Sequence, residues 1–223
     1  MSTHRFDKAD NRVFWKGNRA TYHGTKTARF LVSWTADVLG RNVLDAGAGD
    51  GSLVRSIRAA GATVLGVDLA PKSDDIEEGD LTELRFKDGE FDTVYCSEVI
   101  EHVSPEMTQT ILGELVRVLS TGGHLVLTTP FREDLESSLV TCPGCELSFH
   151  RWGHQQTFCE EDFAELAKRL GLQVISIAPV RFSRIKRWTF MGPGFLRSSI
   201  GRKLVRGIPN APNRTLVLVA KKG

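Results

Sequence analysis

The segment VLDAGAGDGSL, residues 43–53, constrains this chain more than any other. An apolar run leads into Asp45, glycines follow at alternate positions (Gly47, Gly49, Gly51), and residues 52–60 then carry apolar side chains at helical spacing. A glycine-rich turn between a strand and a helix lets the main chain approach a ligand closely, with the amides of the helix N-terminus facing it. By itself the turn implies an adenosine-containing cofactor without saying which. Dinucleotide enzymes use a similar loop, usually spaced GxGxxG rather than GxGxG.

The alternation of strand and helix continues beyond the turn. Strands are predicted over 42–46, 62–67, 91–96, 124–129, 173–178 and 215–220, and a short apolar stretch lies at 81–86. Helices are predicted over 25–39, 52–60, 105–119 and 160–170. The third of these carries Ile111, Leu112, Leu115, Val116 and Leu119 as an apolar stripe, with Gly122 and Gly123 expected to end it. Such alternation predicts an α/β, Rossmann-like, seven-stranded and mostly parallel sheet with helices on both faces and the final strand antiparallel. A chain of 223 residues is long enough to bury that core as one domain over 1–223. Within it we expect an N-terminal helical segment over 1–40, a cap over about 131–158 and a basic insertion over about 181–207.

The net charge of +2 hides an asymmetry, because 181–207 holds eight Lys or Arg residues and no acid while the rest is net acidic. Aromatic residues interleave with those cations, which suits a lipid surface, a lipid-linked acceptor or single-stranded nucleic acid, or else a solvated basic face. Nucleic acid is the less favoured partner, since the sequence contains no separate RNA-binding module and its pI is 8.4. No run approaches the about 18 apolar residues of a membrane span, and the first residues lack the apolar core of a signal peptide. A cytoplasmic location, with peripheral membrane contact through 181–207, is therefore expected. The four cysteines are then expected to be reduced thiols or metal ligands.

At four points in register the sequence resembles the class I S-adenosylmethionine-dependent methyltransferases, over 43–129 with a weaker echo to Gly171. The resemblance implies that Asp45, Gly47, Gly49 and Asp50 hold the methionine end of S-adenosylmethionine and later of the product S-adenosylhomocysteine. It implies that Asp80 and Leu81 read adenine and that Ser97 and Glu98 form the pocket floor. Asp68, at the end of the second strand, is placed to accept hydrogen bonds from both ribose hydroxyls, as an acid does there in dinucleotide folds.

Methyl transfer is an in-line displacement at an already activated carbon, so the enzyme mainly aligns and deprotonates the acceptor. The segment SEVIEH, residues 97–102, supplies Glu98, Glu101 and His102 at spacings that one helical turn can bring to a point. Two metal-using groups of the family share this pattern: the ubiquinone-pathway O-methyltransferases, and the small-RNA 2′-O-methyltransferases, which add a later histidine, here His150 or His154. Glu98, Glu101 and His102 are thus candidates to hold a divalent cation such as Mg. His102 or His154 acting alone as base is the rival role, and a purely structural His102 the third. A competing pattern, Cys142, Cys145 and His150 in C-P-G-C-x4-H, is a candidate structural Zn site, with His154 then kept near the acceptor. The activity expected is O-methylation of a small-molecule or lipid-linked hydroxyl; the alternatives are a metal-dependent RNA 2′-O-methyltransferase and a non-catalytic cofactor-binding protein.

Overall fold

The structure, a computed structural model, describes residues 7–17, 24–181 and 214–223. Tyr22, His23 and residues 182–213, which include all but Arg181 of the basic segment 181–207, lie outside the described residues. Two helices, α1 (Lys8–Gly17) and α2 (Gly24–Trp34), precede the first strand. The alternating part is β1 (Asn42–Ala46), α3 (Ser52–Ala59), β2 (Thr63–Asp68), β3 (Ile76–Glu78), β4 (Phe91–Ser97), α4 (Pro105–Val118) and β5 (Leu119–Pro130). A small hairpin of β6 (Leu139–Thr141) and β7 (Ser148–His150) follows, then α5 (Glu160–Arg169), β8 (Leu172–Val180) and β9 (Thr215–Lys222).

Seven strands form one sheet in the order β3-β2-β1-β4-β5-β9-β8. The first five run parallel, and β9 is antiparallel to both β5 and β8. Side chains alternate across the pleat, so a strand covered on both faces reads as a continuous apolar run. Leu44, Val94, Leu125, Leu127, Leu216 and Leu218 pack on one face with α4 and α5. Val43, Val64, Tyr95, Val126, Val217 and Val219 pack on the other with α2 and α3. Tyr95, fully buried, finds its polar partner in Thr35, whose hydroxyl lies 2.6 Å away.

Three local features depart from the sequence expectation. β3 is a three-residue edge strand, Ile76–Glu78, ahead of the apolar stretch at 81–86, which forms no strand. The helix α4 stops at Val118, and Gly122 and Gly123 lie inside β5 rather than ending the helix. Phe91 pairs with Leu119 and Thr93 with His124, so residues 120–123 bulge out of the ladder there. The cap contains the β6–β7 hairpin, which the short polar sequence did not signal.

Candidate functional site

The strand order reverses between β1 and β4, and in open α/β sheets the crevice beyond the strand ends at such a point receives the ligand. The glycine turn closes that crevice from below. Gly47 adopts φ +84°, and a Cβ there would lie 2.2 Å from Val99 Cγ2, so only glycine lets the loop pass beneath the segment after β4. Gly49 also has positive φ, but nothing lies within 4 Å of its Cβ position, which leaves open space above the loop. The amides of Gly47 and Ala48 both bond to Val67 O, at 2.8 and 3.0 Å, and tie the turn to β2.

Four acids line this crevice. Asp68 accepts from the amides of Gly49 and Ala70, each at 2.8 Å, one on each carboxylate oxygen. Asp80 accepts from the amide and hydroxyl of Thr82, at 2.9 and 2.7 Å, and Leu81 beside it is buried. Asp50 bonds the amide and hydroxyl of Ser52 at the start of α3, each at 2.9 Å, so its carboxylate orders the helix entrance. Asp45 is buried under the loop with Oδ2 unpartnered, and burial, then Asp68 and Asp50, push its carboxyl up to about 8. An anionic pyrophosphate would meet these carboxylates as like charges, whereas a cationic sulfonium and ammonium would meet them as partners.

Asp45 therefore gives a stability test. A carboxyl whose folded pKa is raised is penalised progressively as pH climbs from its unfolded value near 3.8 through about 8. Asp45→Asn should leave the ligand-free protein nearly unchanged near pH 4 and stabilise it by up to about 5 kcal/mol at pH 8. Denaturant melts at the two pH values check this; equal effects at both would discount the Asp45 charge.

Beside the cofactor crevice lies a second, drier cluster. Glu98 follows β4 with φ +56°, an unusual conformation for a residue with a side chain, and its amide bonds Thr128 O at 2.9 Å. The Thr128 hydroxyl donates to Glu98 Oε1 at 2.9 Å and lies 2.8 Å from Ser97 Oγ. Burial pushes the Glu98 carboxyl up to about 7, against the Thr128 hydrogen bond and nearby His154. A 3-10 turn, Ile100–His102, then buries Glu101 and His102. Both oxygens of the Glu101 carboxyl and both nitrogens of the His102 ring are buried, with the main chain of Trp152 and Gly153 against the ring. Burial first, and the Glu98 charge second, hold Glu101 well above the usual carboxylate range. Burial and the neighbouring His154 pull His102 down to about 3, so its ring is neutral.

The cap delivers the remaining members. His154 packs edge-on to His102 at 4.6 Å between ring centroids and stacks on His150 at the same distance. Its Nδ1 bonds Glu133, and His150 Nε2, otherwise unpartnered, lies 3.7 Å from the same carboxylate. Among the described residues, donor atoms gather within 4.8 Å in two sets that share His154: Glu101, His102, His154 and Glu133, His150, His154. Glu133 had no sequence signal, being a single acid in an irregular stretch. Its place follows from the bridge between Phe131 and Phe158 and the bond from Arg132 N to Phe158 O, which fold the two ends of the cap together.

Gln155 and Gln156 were equally silent in sequence and fasten the cap to the turn. Gln156 Nε2 donates to Ile100 O, Val103 O and Thr108 Oγ1, and Gln155 Nε2 to His102 O at 2.6 Å. From the other side α1 leans in, with Trp15 edge-on to His102 at 4.9 Å and Asn11 donating to His102 O.

The expected zinc set of Cys142, Cys145 and His150 is not assembled, because the hairpin separates its members. Leu139 pairs with His150 and Thr141 with Ser148, so His150 stands at the base and the cysteines at the tip. Strand geometry puts about 10 Å between those levels, and the His150 ring faces Glu133 and His154 instead.

A sequence model described as a methyltransferase domain matches residues 15–177. The ubiquinone biosynthesis O-methyltransferase of Aromatoleum aromaticum is 30% identical over 166 residues, 61% of this chain and 69% of that protein. Its counterpart in Xanthomonas euvesicatoria is 35% identical over 129 residues, and there the chain spans about half of the relative's length, 53%. Among solved structures, the 1,6-didemethyltoxoflavin N1-methyltransferase of Burkholderia thailandensis, with its acceptor and S-adenosylhomocysteine bound, superposes with a TM-score of 0.61 at 20% identity. That alignment covers 96% of this chain and 83% of the other, and at such identity it speaks for the fold.

Proposed function

The chain belongs to the S-adenosylmethionine-dependent methyltransferase family, and from that premise we propose that it methylates the hydroxyl oxygen of a small or lipid-linked acceptor held beside Glu98, Glu101 and His102. The carrying observation is the gathering of donor atoms from buried Glu101 and His102 and from His154 within 4.8 Å of one another, next to Ser97 and Glu98. Burying ionisable groups is destabilising, and a ligand that they hold together accounts for their presence. The relatives named for ubiquinone biosynthesis favour a hydroxyl of low molecular weight or on a lipid over one on RNA.

In this reading the acids of the glycine crevice bind and orient the cofactor. Asp68 has lone pairs left for two ribose hydroxyls after its two amide bonds, and Asp80 with Leu81 flanks the adenine. S-adenosylmethionine supplies the methyl group on a positively charged sulfur, to which the Asp50 and Asp68 carboxylates are electrostatically complementary. The donor chemistry of Glu101, His102 and His154, which lie together while Glu98 is held by Thr128, fits a divalent cation, which when bound would acidify an acceptor hydroxyl. Glu133 orients His154 through Nδ1, which leaves Nε2 with its lone pair for a cation or a proton. His102, neutral and buried, can accept a proton only at whichever ring nitrogen its tautomer leaves unprotonated. Trp15 and the cap exclude water around both rings.

The test is methyl transfer from labelled S-adenosylmethionine to a panel of phenols and lipid-linked phenols, before and after chelation. Chelation should lower the rate at least about tenfold, and added divalent cation should restore it. An unchanged rate in metal-free protein would remove the cation and leave His102 or His154 as base. Tight cofactor binding with no transfer to any hydroxyl would overturn O-methylation itself.

A further inference from the structure

His154 belongs to both donor sets under the cap, and the hydrogen bonds around it set the two apart. The turn after β7 closes through Gly153 N to His150 O at 2.8 Å, with Gly153 at φ +74°, where a side chain would be strained. It folds the chain back so that the His150 and His154 rings stack, and the His154 amide donates to His150 Nδ1 at 3.1 Å. The hairpin register holds His150 in this position. Leu139 pairs with His150, and Arg151 N bonds Ser138 O at 2.9 Å.

A ring nitrogen that accepts an amide carries no proton of its own, so the His150 proton stands on Nε2. That nitrogen is buried and faces Glu133, whose Oε1 lies 3.7 Å away. The other carboxylate oxygen, Oε2, bonds His154 Nδ1. Glu133 is thus bracketed by two stacked imidazoles, one presenting Nε2 and the other Nδ1. A protonated nitrogen has no lone pair for a metal, and the single lone pair of His150 is already taken by the amide. The donor set of Glu133, His150 and His154 therefore lacks a third free lone pair. His154 keeps its own on Nε2, the atom that Glu133 does not hold.

Granted the hydroxyl methylation argued above, we propose that His150 is a positioning residue: with Glu133 it holds His154 in the tautomer protonated at Nδ1, so that Glu133, His150 and His154 form a clamp and not a second cation site. Which nitrogen of an imidazole bears the proton is set by the hydrogen bond at the other, and here that choice is made before any ligand arrives. His154 offers Nε2 to the neighbourhood of Glu101 and His102, and His150 offers nothing. The β6–β7 hairpin thereby has a task in the site, because its register seats His150 against His154.

Two-bond 1H–15N correlation spectra of the full 15N-labelled chain, chelated and at pH 8, read the tautomer of each imidazole, an unperturbed histidine being neutral there. His150→Phe and His154→Phe identify the two rings. We expect His150 protonated at Nε2 and His154 at Nδ1, and Zn2+ added afterwards should leave the His150 pattern as it was. His150→Phe keeps a stacked ring and loses both nitrogens. In that variant His154 should no longer be held in the Nδ1-protonated form. Its kcat with the best hydroxyl acceptor should fall about tenfold, with KM and the Kd of S-adenosylmethionine within about threefold of the parent. His154 protonated at Nε2 in the parent, loss of the His150 Nε2 proton to Zn2+, or an unchanged His154 tautomer in His150→Phe would each overturn the proposal. A parent that methylates no hydroxyl removes the O-methylation reading, and the spectra then decide the clamp by themselves.

Discussion

Asp68→Ala is expected to weaken S-adenosylmethionine binding by about 100-fold or more. The carboxylate does two things at once: it fastens Gly49 and Ala70 through their amides, and it presents its remaining lone pairs at the end of β2. Removing a charged acceptor of two hydroxyls costs about 3 kcal/mol, which is the stated factor, and loosening Gly49 adds to it. Asp68→Asn keeps one acceptor oxygen and should fall between the two. Titration calorimetry decides the matter, with a change of less than about threefold for the alanine variant removing the ribose assignment.

Glu101→Gln is the second large effect and separates chemistry from cofactor binding. Glutamine fills the same space, but it brings neither the negative charge nor the second acceptor oxygen that a divalent cation would use. Methyl transfer should fall about 1000-fold, while affinity for S-adenosylmethionine stays within a few-fold of the parent, since Glu101 sits one turn beyond the pocket floor. Metal content of the purified variant, measured alongside, should drop with the activity. A variant that retains its metal and more than about a tenth of the parental rate would remove Glu101 from the ligand set. His102→Ala tests the same cluster from the imidazole side, with the packing of Trp15 lost as well.

How much of this was legible in the sequence depends on whether the signal was local. The parallel strands read as apolar runs because both faces are covered, so β1 was expected over 42–46 and lies at Asn42–Ala46. The acids at Asp45, Asp68 and Asp80 and the SEVIEH turn were legible as positions relative to those strands, and the fold gathers them at or beyond the carboxyl ends of the parallel strands. What was illegible depends on pairings made far along the chain. Glu133 meets His154 only because Phe131 bridges to Phe158. His150 satisfied the spacing of a zinc ligand, yet the hairpin register turned it away from the cysteines. β3 escaped notice because its two glutamates leave only Ile76 as an apolar residue.

The manner in which the cap is attached bears on how such a protein can change over generations. Gln155 and Gln156 grip Ile100, His102 and Val103 by their main-chain carbonyl groups, which every residue type possesses. Substitution within the turn therefore alters what it offers to a ligand without unfastening the cap. The outer residues of the cap can likewise diversify without disturbing the glutamates and histidine beneath. Acceptor range and reaction chemistry are in this sense separately heritable, joined by bonds that the side chains of the turn do not control.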